Sequence, residues 1–160
     1  MRTLLLASAL CAGLFGPVAG VPPPEPAPSP YRAFCRTLWL FASPCVDVST
    51  ELVAQIQALS PYQLVSVNPV YIAANHTSAL RPLGEDLTFS LSPTVLTAGC
   101  RVTAMSNSIG FTSLLDGGLN YCNLYELLSA SGLSSAPGFM EMTNEWACLG
   151  KGLATCVKKH

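Results

Sequence analysis

The fold is decided by two stretches of sequence, Asp86-Leu87-Thr88-Phe89-Ser90-Leu91 and Cys100-Arg101-Val102-Thr103-Ala104-Met105. In the first, three large apolar residues alternate with two hydroxyl residues. In the second, Arg101, Thr103 and Met105 lie on the face opposite the other three residues. A period of two residues is typical of a strand with one buried face. Both stretches are therefore predicted to be strands of one sheet.

Several neighbouring segments extend the predicted sheet to about four or five strands. The valine-rich segment Tyr62–Asn68 precedes a proline, and residues 109–115 end at the turn signal Asp116-Gly117-Gly118. Residues 139–143 are a further candidate strand, and we expect Trp146 to be at least partly buried. Residues 33–42 form an apolar segment that is predicted to be buried, but its length does not distinguish a helix from a strand.

Two segments have the periodicity of amphipathic helices. In residues 48–59 four apolar side chains share one face, and Asp47 or Ser49 is the predicted N-cap. In residues 120–131 a similar stripe follows Asn120, the predicted N-cap, and Gly132 stands at the position of a left-handed C-cap. Helices separated by runs of strands with short turns predict an α+β fold with an antiparallel sheet and two helices. The stripes are Leu52, Val53, Ile56 and Leu59 in the first helix, and Tyr121, Leu124, Tyr125 and Leu128 in the second.

The N-terminal region is predicted to be a targeting segment followed by an extended arm. Residues 1–20 combine one basic residue, an apolar run and small residues before Gly20, which is the plan of a secretory signal peptide. Cys11 belongs to this removed segment. Residues 21–30 contain six prolines, a composition that favours polyproline II and builds no core. Residues 31–160 are then predicted to form a single disulfide-bonded globular domain.

Composition excludes several classes of protein. Only 11% of the 160 residues are charged, with Lys+Arg 8 against Asp+Glu 9. A nucleic-acid-binding protein that works through a basic surface is therefore excluded. After the signal peptide no uninterrupted apolar run reaches the length of a membrane span, so no membrane span is predicted. Serine and threonine are abundant, which predicts a surface hydrated by hydroxyl groups.

Six cysteines remain after the signal peptide, and an even number in a secreted chain predicts three disulfides. Because short loops close most readily, we expect the neighbour pairs Cys35–Cys45, Cys100–Cys122 and Cys148–Cys156. No two cysteines have the Cys-x₂-Cys spacing of a structural zinc site, and histidines are few, so neither a metal nor another cofactor is predicted. The six predicted disulfide residues are Cys35, Cys45, Cys100, Cys122, Cys148 and Cys156.

The tripeptide Asn75-His76-Thr77 is an N-glycosylation acceptor, and its secretory context and turn-like flank favour its use.

A serine hydrolase or cysteine protease would need a histidine base. His76 lies where a glycan on Asn75 would crowd it, and His160 is the last residue, so no catalytic residue is predicted. A pair of carboxylates could still serve a glycosidase, with Asp116, Glu126 and Glu141 among the candidates.

These features together predict a secreted, N-glycosylated, disulfide-bonded protein that works by binding rather than by catalysis. Its expected partner is an extracellular protein or receptor. One alternative is a carrier of a small apolar ligand, which would need an enclosed cavity between the sheet and the helices. The other alternative is an extracellular hydrolase based on two carboxylates that converge in a cleft.

Overall fold

The computed structural model describes residues 32–78, 81–95, 98–110 and 115–156, and the predicted signal peptide and proline-rich arm lie outside these ranges. The described residues form one antiparallel sheet of six strands and two α-helices. In chain order the elements are β1 (Phe34–Phe41), α1 (Cys45–Ala58), β2 (Tyr62–Asn68), β3 (Tyr71–Ser78), β4 (Arg81–Pro93), β5 (Cys100–Ser108), α2 (Leu119–Ala130) and β6 (Met140–Met142).

The predicted α+β class with an antiparallel sheet is confirmed, although the sheet has one strand more than the four or five expected. The additional strand is β3, which pairs with β2 on one side and β4 on the other. The apolar segment around Trp39 is the strand β1. The expected strand at residues 109–115 is wrong where it can be described, because β5 ends at Ser108 and Ile109 and Gly110 form a bend; residues 111–114 lie outside the described ranges.

The strand order is β2-β3-β4-β5-β1-β6, so the first strand of the chain is inserted next to the last one. β1 pairs with β5 over its whole length, which places Arg36 opposite Met105 and Leu40 opposite Arg101. On its other side β1 pairs with the short strand β6, where Leu38 lies opposite Met142. This register brings three segments that are distant in sequence to one end of the sheet.

Both helices pack on the same face of the sheet, which we call the inner face. α1 buries Val48, Leu52 and Ile56 against it, and α2 buries three leucines. The inner-face positions of the strands are filled by large apolar side chains, among them Trp39 and Phe89, with ring centroids 6.0 Å apart. No described helix covers the opposite, outer face, and no described helix is long and apolar enough to cross a membrane. The outer face carries Arg36, Leu38, Leu40, Tyr71, Ala73, Asn75, Asp86, Thr88, Arg101, Thr103, Met105, Met140 and Met142.

The helix starts differ from the predicted caps. α1 begins three residues earlier than expected, with Pro44 as its N-cap residue and no side-chain cap. α2 has Gly118 as its N-cap residue at φ 82°, and the carboxylate of Asp116 accepts hydrogen bonds from the backbone of Gly118 (2.9 Å) and Asn120 (2.7 Å). Asp116 therefore satisfies the donors that Asn120 was expected to satisfy. At the other end, Gly132 has the predicted left-handed conformation, with φ 76°.

The six cysteines form three disulfides, but the predicted pairing of neighbours is wrong. The bonds are Cys35–Cys148, Cys45–Cys100 and Cys122–Cys156, with sequence separations of 113, 55 and 34 residues. Each doubling of loop length costs only about 0.6 kcal/mol of closure entropy, which is too little to oppose a folded geometry. The pairing follows the fold instead, because β1 passes beside residues 144–148 and the start of α1 meets the start of β5. The pairs Cys35–Cys45, Cys100–Cys122 and Cys148–Cys156 do not form.

Candidate binding surface

The predicted glycosylation site lies within the sheet rather than in a turn. Asn75 occupies β3, and its half-buried side chain is on the outer face, opposite Asp86 of β4. With its amide nitrogen turned toward β4, Asn75 donates a hydrogen bond to Oδ1 of Asp86 at 3.1 Å. The side chain of Asn75 therefore faces the side of the sheet that no described helix covers. Its glycosylation stays a prediction.

His76 lies on the inner face, because successive residues of a strand point to opposite sides of the sheet. The argument that a glycan on Asn75 would crowd His76 is therefore wrong. The Nδ1 atom of His76 lies 2.8 Å from Oε2 of Glu85, and the two residues are 8% and 1% exposed. This buried pair joins β3 to β4. The ring of His76 also packs on Tyr62, with centroids 4.7 Å apart.

Tyr62 connects β2 to α2. Its hydroxyl oxygen lies 2.9 Å from the backbone oxygen of Asn123 and 2.9 Å from Oε2 of Glu126, and these two acceptors share its single proton. Burial, and after it the nearby charge of Glu126, raises the pKa of Tyr62 well above its ordinary value. The tyrosine therefore acts as a neutral hydrogen-bond donor within the core.

The three carboxylates that were candidates for hydrolysis each have hydrogen-bond partners within the fold. Asp116 caps α2, and Glu126 accepts from Tyr62. Glu141, the middle residue of β6, accepts from Nε1 of Trp39 (3.1 Å), from the hydroxyl group of Tyr121 (3.1 Å) and from Nζ of Lys151 (2.9 Å). Burial and then Glu141 raise the pKa of Tyr121. Each of the three carboxylates therefore has a structural role in the fold.

The outer face carries a half-open groove of about 430 Å³ where β1, β5 and the end of β6 meet. Its walls combine basic, apolar and hydroxyl or amide side chains, and none of its lining residues is acidic. We call this feature the binding groove. It is lined mainly by Arg36, Leu38, Arg101, Thr103, Met142 and Asn144.

Two exposed arginines give the binding groove its charge. Arg36 of β1 and Arg101 of β5 both lie on the outer face, and neither forms an ion pair with an acidic group in the described ranges. Lys151, by contrast, is neutralised by Glu141. Two uncompensated guanidinium groups on one face are notable in a chain with only 8 Lys and Arg residues. The groove therefore favours a ligand with negative charge.

The far wall of the binding groove is fixed to β1 by covalent and hydrogen bonds. The backbone nitrogen of Arg36 donates to the backbone oxygen of Ala147 at 2.7 Å, and the hydroxyl group of Thr143 donates to the backbone oxygen of Arg36 at 2.9 Å. The disulfide Cys35–Cys148 joins the same two segments. These three bonds hold the two walls of the groove together.

A tryptophan lies exposed beside this groove. Trp146 stands between the lining residues Asn144 and Ala147 and is 88% exposed, so the expectation that it is at least partly buried is wrong. Its backbone nitrogen is held by the side chain of Asn144 at 3.0 Å. On the adjoining strand β6, Met140 and Met142 are 55% and 44% exposed. Met140, Met142 and the two arginines are therefore grouped at one end of the outer face, next in the chain to the segment that contains Trp146.

Sequence reasoning did not identify this surface. The alternation in residues 100–105 placed Arg101 on the polar face of its strand, but Arg36 was enclosed in an apolar segment of undecided structure. Their meeting depends on the pairing of β1 with β5, which are separated by α1 and three other strands. The signal that could have indicated the surface is the tryptophan itself, in a segment where Asn144-Glu145-Trp146 breaks any apolar periodicity.

Comparison with known proteins gives no relative on which to base an assignment: no protein-family model matches the chain, and no match was found among curated proteins.

Proposed function

We propose that this chain is a secreted, N-glycosylated, disulfide-bonded protein that works by binding another extracellular protein, and not by catalysis. The observation that carries the proposal is a groove on a sheet face that no described helix covers, next in the chain to Trp146, which is 88% exposed and directly precedes the lining residue Ala147. Tryptophan and arginine are the side chains most enriched among those that dominate the energy of protein interfaces. Both kinds are present at this surface.

The exposed apolar side chains of β6 and its neighbour β1 support the same function. Met140 and Met142 project from β6, and Leu38 and Leu40 of β1 lie half-buried next to them. Methionine is unbranched and polarisable and therefore adapts to the shape of a partner. Contiguous exposed apolar surface with a polar rim is typical of an interaction site.

The groove's shape favours a protein partner over a small apolar ligand. A site for a small ligand usually encloses 70–90% or more of the ligand surface, and its lining is mainly apolar. The binding groove is half-open and has an arginine at each end. The space between the sheet and the helices, where a carrier would need its cavity, is occupied by side chains of the core, such as Trp39, Leu52 and Leu124.

The proposed glycan limits where a partner can bind on the outer face. Asn75 is in β3, and three inter-strand steps, from β3 through β4 and β5, separate it from β1. At about 4.8 Å per step the separation is roughly 14 Å. A glycan at Asn75 would therefore leave the end of the sheet that contains β1, β5 and β6 accessible.

Capture from the extracellular fluid of the source organism tests this function when it is done with matched variants. The wild-type protein, the variant Trp146→Ala and the control Val46→Ser would be immobilised in equal amounts. Val46 is 69% exposed on α1, away from the outer face. We expect at least one protein to be retained by the wild type and by Val46→Ser and to be lost with Trp146→Ala. If recovery of every captured protein is the same on all three, the proposed surface is wrong.

A further inference from the structure

We infer that the binding groove holds an extended acidic segment of the partner polypeptide, with one carboxylate for each of Arg36 and Arg101 and an apolar side chain between them. This inference rests on the proposed function and specifies the chemistry of the partner. It starts from the charge of the groove, in which two arginines face the solvent without an ion pair in the described ranges and no lining residue is acidic. An acidic ligand is complementary to such a surface.

The spacing of the two arginines selects an extended ligand. Arg101 lies opposite Leu40, and Leu40 is four residues beyond Arg36 on the same face of β1. At about 3.3 Å per residue the two arginine positions are roughly 13 Å apart along the strand direction. In an extended peptide, the side chains of residues i and i+4 lie on one side at the same spacing. Two acidic residues in this relation would each meet one arginine.

The middle of the groove provides the place for the intervening side chain. Leu38 of β1 pairs with Thr103 of β5 on one side and with Met142 of β6 on the other, midway between the rows of the two arginines. An apolar side chain at position i+2 of the bound segment would rest on Leu38 and Met142. The hydroxyl and amide groups of Thr103 and Asn144 at the walls can form hydrogen bonds with its backbone.

A sulfated polysaccharide fits this surface less well. Polyanion binding depends on many cations, and its affinity rises with each neutralised group. Here only two arginines line the groove, the apolar side chains of Leu38 and Met142 are part of its lining, and the chain as a whole has a formal charge of −1. The peptide is favoured because it provides both the negative groups and the apolar side chain that the groove can accept.

Binding of synthetic peptides tests the inference directly. The probe is a fluorescein-labelled peptide of sequence SETLTES, which has glutamates at i and i+4 and leucine at i+2, and its binding is followed by fluorescence anisotropy at low salt. Matched peptides carry glutamine at both acidic positions, or both glutamates next to each other. We expect the glutamine peptide to bind about five- to twentyfold more weakly, because it loses both ion pairs and an exposed pair contributes roughly a two- to fivefold factor. The peptide with adjacent glutamates keeps one ion pair and should bind about two- to fivefold more weakly.

Variants of the protein identify the side chains responsible. Arg36→Gln and Arg101→Gln should each weaken binding of SETLTES about two- to fivefold, and added salt should remove most of the difference. Arg32→Gln is the matched control, since Arg32 is exposed, makes the same charge change and does not line the groove. Equal affinity for the glutamate and glutamine peptides would overturn the inference. Tighter, arginine-dependent binding of a heparin fragment would also overturn it.

The outcomes distinguish a failure of the acidic-segment inference from a failure of the proposed function. If SETLTES shows no preference but a captured protein still depends on Trp146, only the acidic segment is wrong. If no captured protein depends on Trp146 and no peptide binds, the surface itself is not a binding site. A captured partner that is lost with Arg36→Gln and Arg101→Gln, but kept with Arg32→Gln, supports both.

Discussion

The indole nitrogen of Trp39 donates a hydrogen bond to Glu141 at 3.1 Å, between residues 102 positions apart in the sequence. Trp39 is completely buried on the inner face, so this bond pulls the carboxylate of β6 inward. Because side chains alternate along a strand, Met140 and Met142 are then directed to the outer face. This polar contact and the pairing of β6 with β1 thus agree on which side chains the candidate binding surface displays.

Substitution of Glu141 by alanine should destabilise the protein by about 2–3 kcal/mol, since Trp39 would keep a buried donor without its acceptor and two further hydrogen bonds would be lost. Urea unfolding of the purified variant measures the change. Glu51→Ala, an exposed position on α1, is the control and should stay within about 0.5 kcal/mol of wild type. Equal stability of the two variants would show that Glu141 does not hold β6.

Replacement of Thr37 by valine should stabilise the protein by up to about 1 kcal/mol, because a buried hydroxyl group without a partner is exchanged for a methyl group of similar size. The Oγ1 atom of Thr37 is buried, and no described residue forms a hydrogen bond with it. Thermal and urea unfolding would show the gain. The companion variant Thr37→Ser keeps the hydroxyl group, loses a methyl group and should be less stable than wild type. A loss of stability in Thr37→Val would disprove this account.

Stability should fall as the pH rises above about 10, the ordinary pKa of tyrosine in an unfolded chain. Burial raises the pKa of Tyr62 in the folded state, so above that pH the unfolded chain releases the proton first and is favoured. The contribution is fully present below pH ~10 and is lost progressively above it. Unfolding midpoints measured between neutral and alkaline pH give the dependence of stability on pH.

The variant Tyr62→Phe tests whether Tyr62 causes the loss of stability at alkaline pH. It should be about 1–2 kcal/mol less stable at neutral pH, through loss of the bonds to Asn123 and Glu126, but should lose less stability on going to high pH. Val46→Ser, an exposed position on α1 that removes no ionisable group, should keep the wild-type slope. An unchanged slope in Tyr62→Phe would mean that other groups cause the alkaline loss.

The sequence was informative where a buried face repeats with a regular period. Residues 62–68, 86–91 and 100–105 are strands as predicted, because their inner positions are mostly large or apolar and β4 and β5 lie in the middle of the sheet. β3 was missed for the opposite reason. Its inner positions include a small residue, Ala74, and a histidine, His76, whose burial depends on the distant Glu85. Hydrophobic periodicity alone cannot indicate such a strand.

The candidate site and the disulfide pairing were not predictable from local pattern for a related reason. Arg36 and Arg101 come to line one groove through the pairing of β1 with β5, and the segment that contains Trp146 is brought beside β1 by the contact of Cys35 with Cys148. The cysteine pairs follow the same long-range contacts. The closure entropies of the alternative loops differ by only about 1 kcal/mol. The fold, by contrast, determines which sulfur atoms come close enough to form a bond.

Secreted protein should lose mass on treatment with an N-glycosidase, and the loss should disappear in Asn75→Gln and Thr77→Ala. Thr77→Ser keeps the acceptor tripeptide and should keep the glycan, which separates the sequence requirement from any effect of substitution at position 77. Mass spectrometry of the intact secreted chains gives the result. An identical mass for wild type and Asn75→Gln, after allowance for the substitution itself, would remove the glycosylation prediction.

The overlapping spans of the disulfides have a consequence for the effect of proteolysis on the chain. Cys35 and Cys148 are 113 positions apart, and Cys122–Cys156 begins inside that span and ends beyond it. A single cut in the backbone anywhere between Cys35 and Cys156 therefore leaves two fragments that are still joined by a sulfur bridge. Nicking of a surface loop would not release β1 from the segment that contains Trp146, and the nicked molecule could retain the same outer surface.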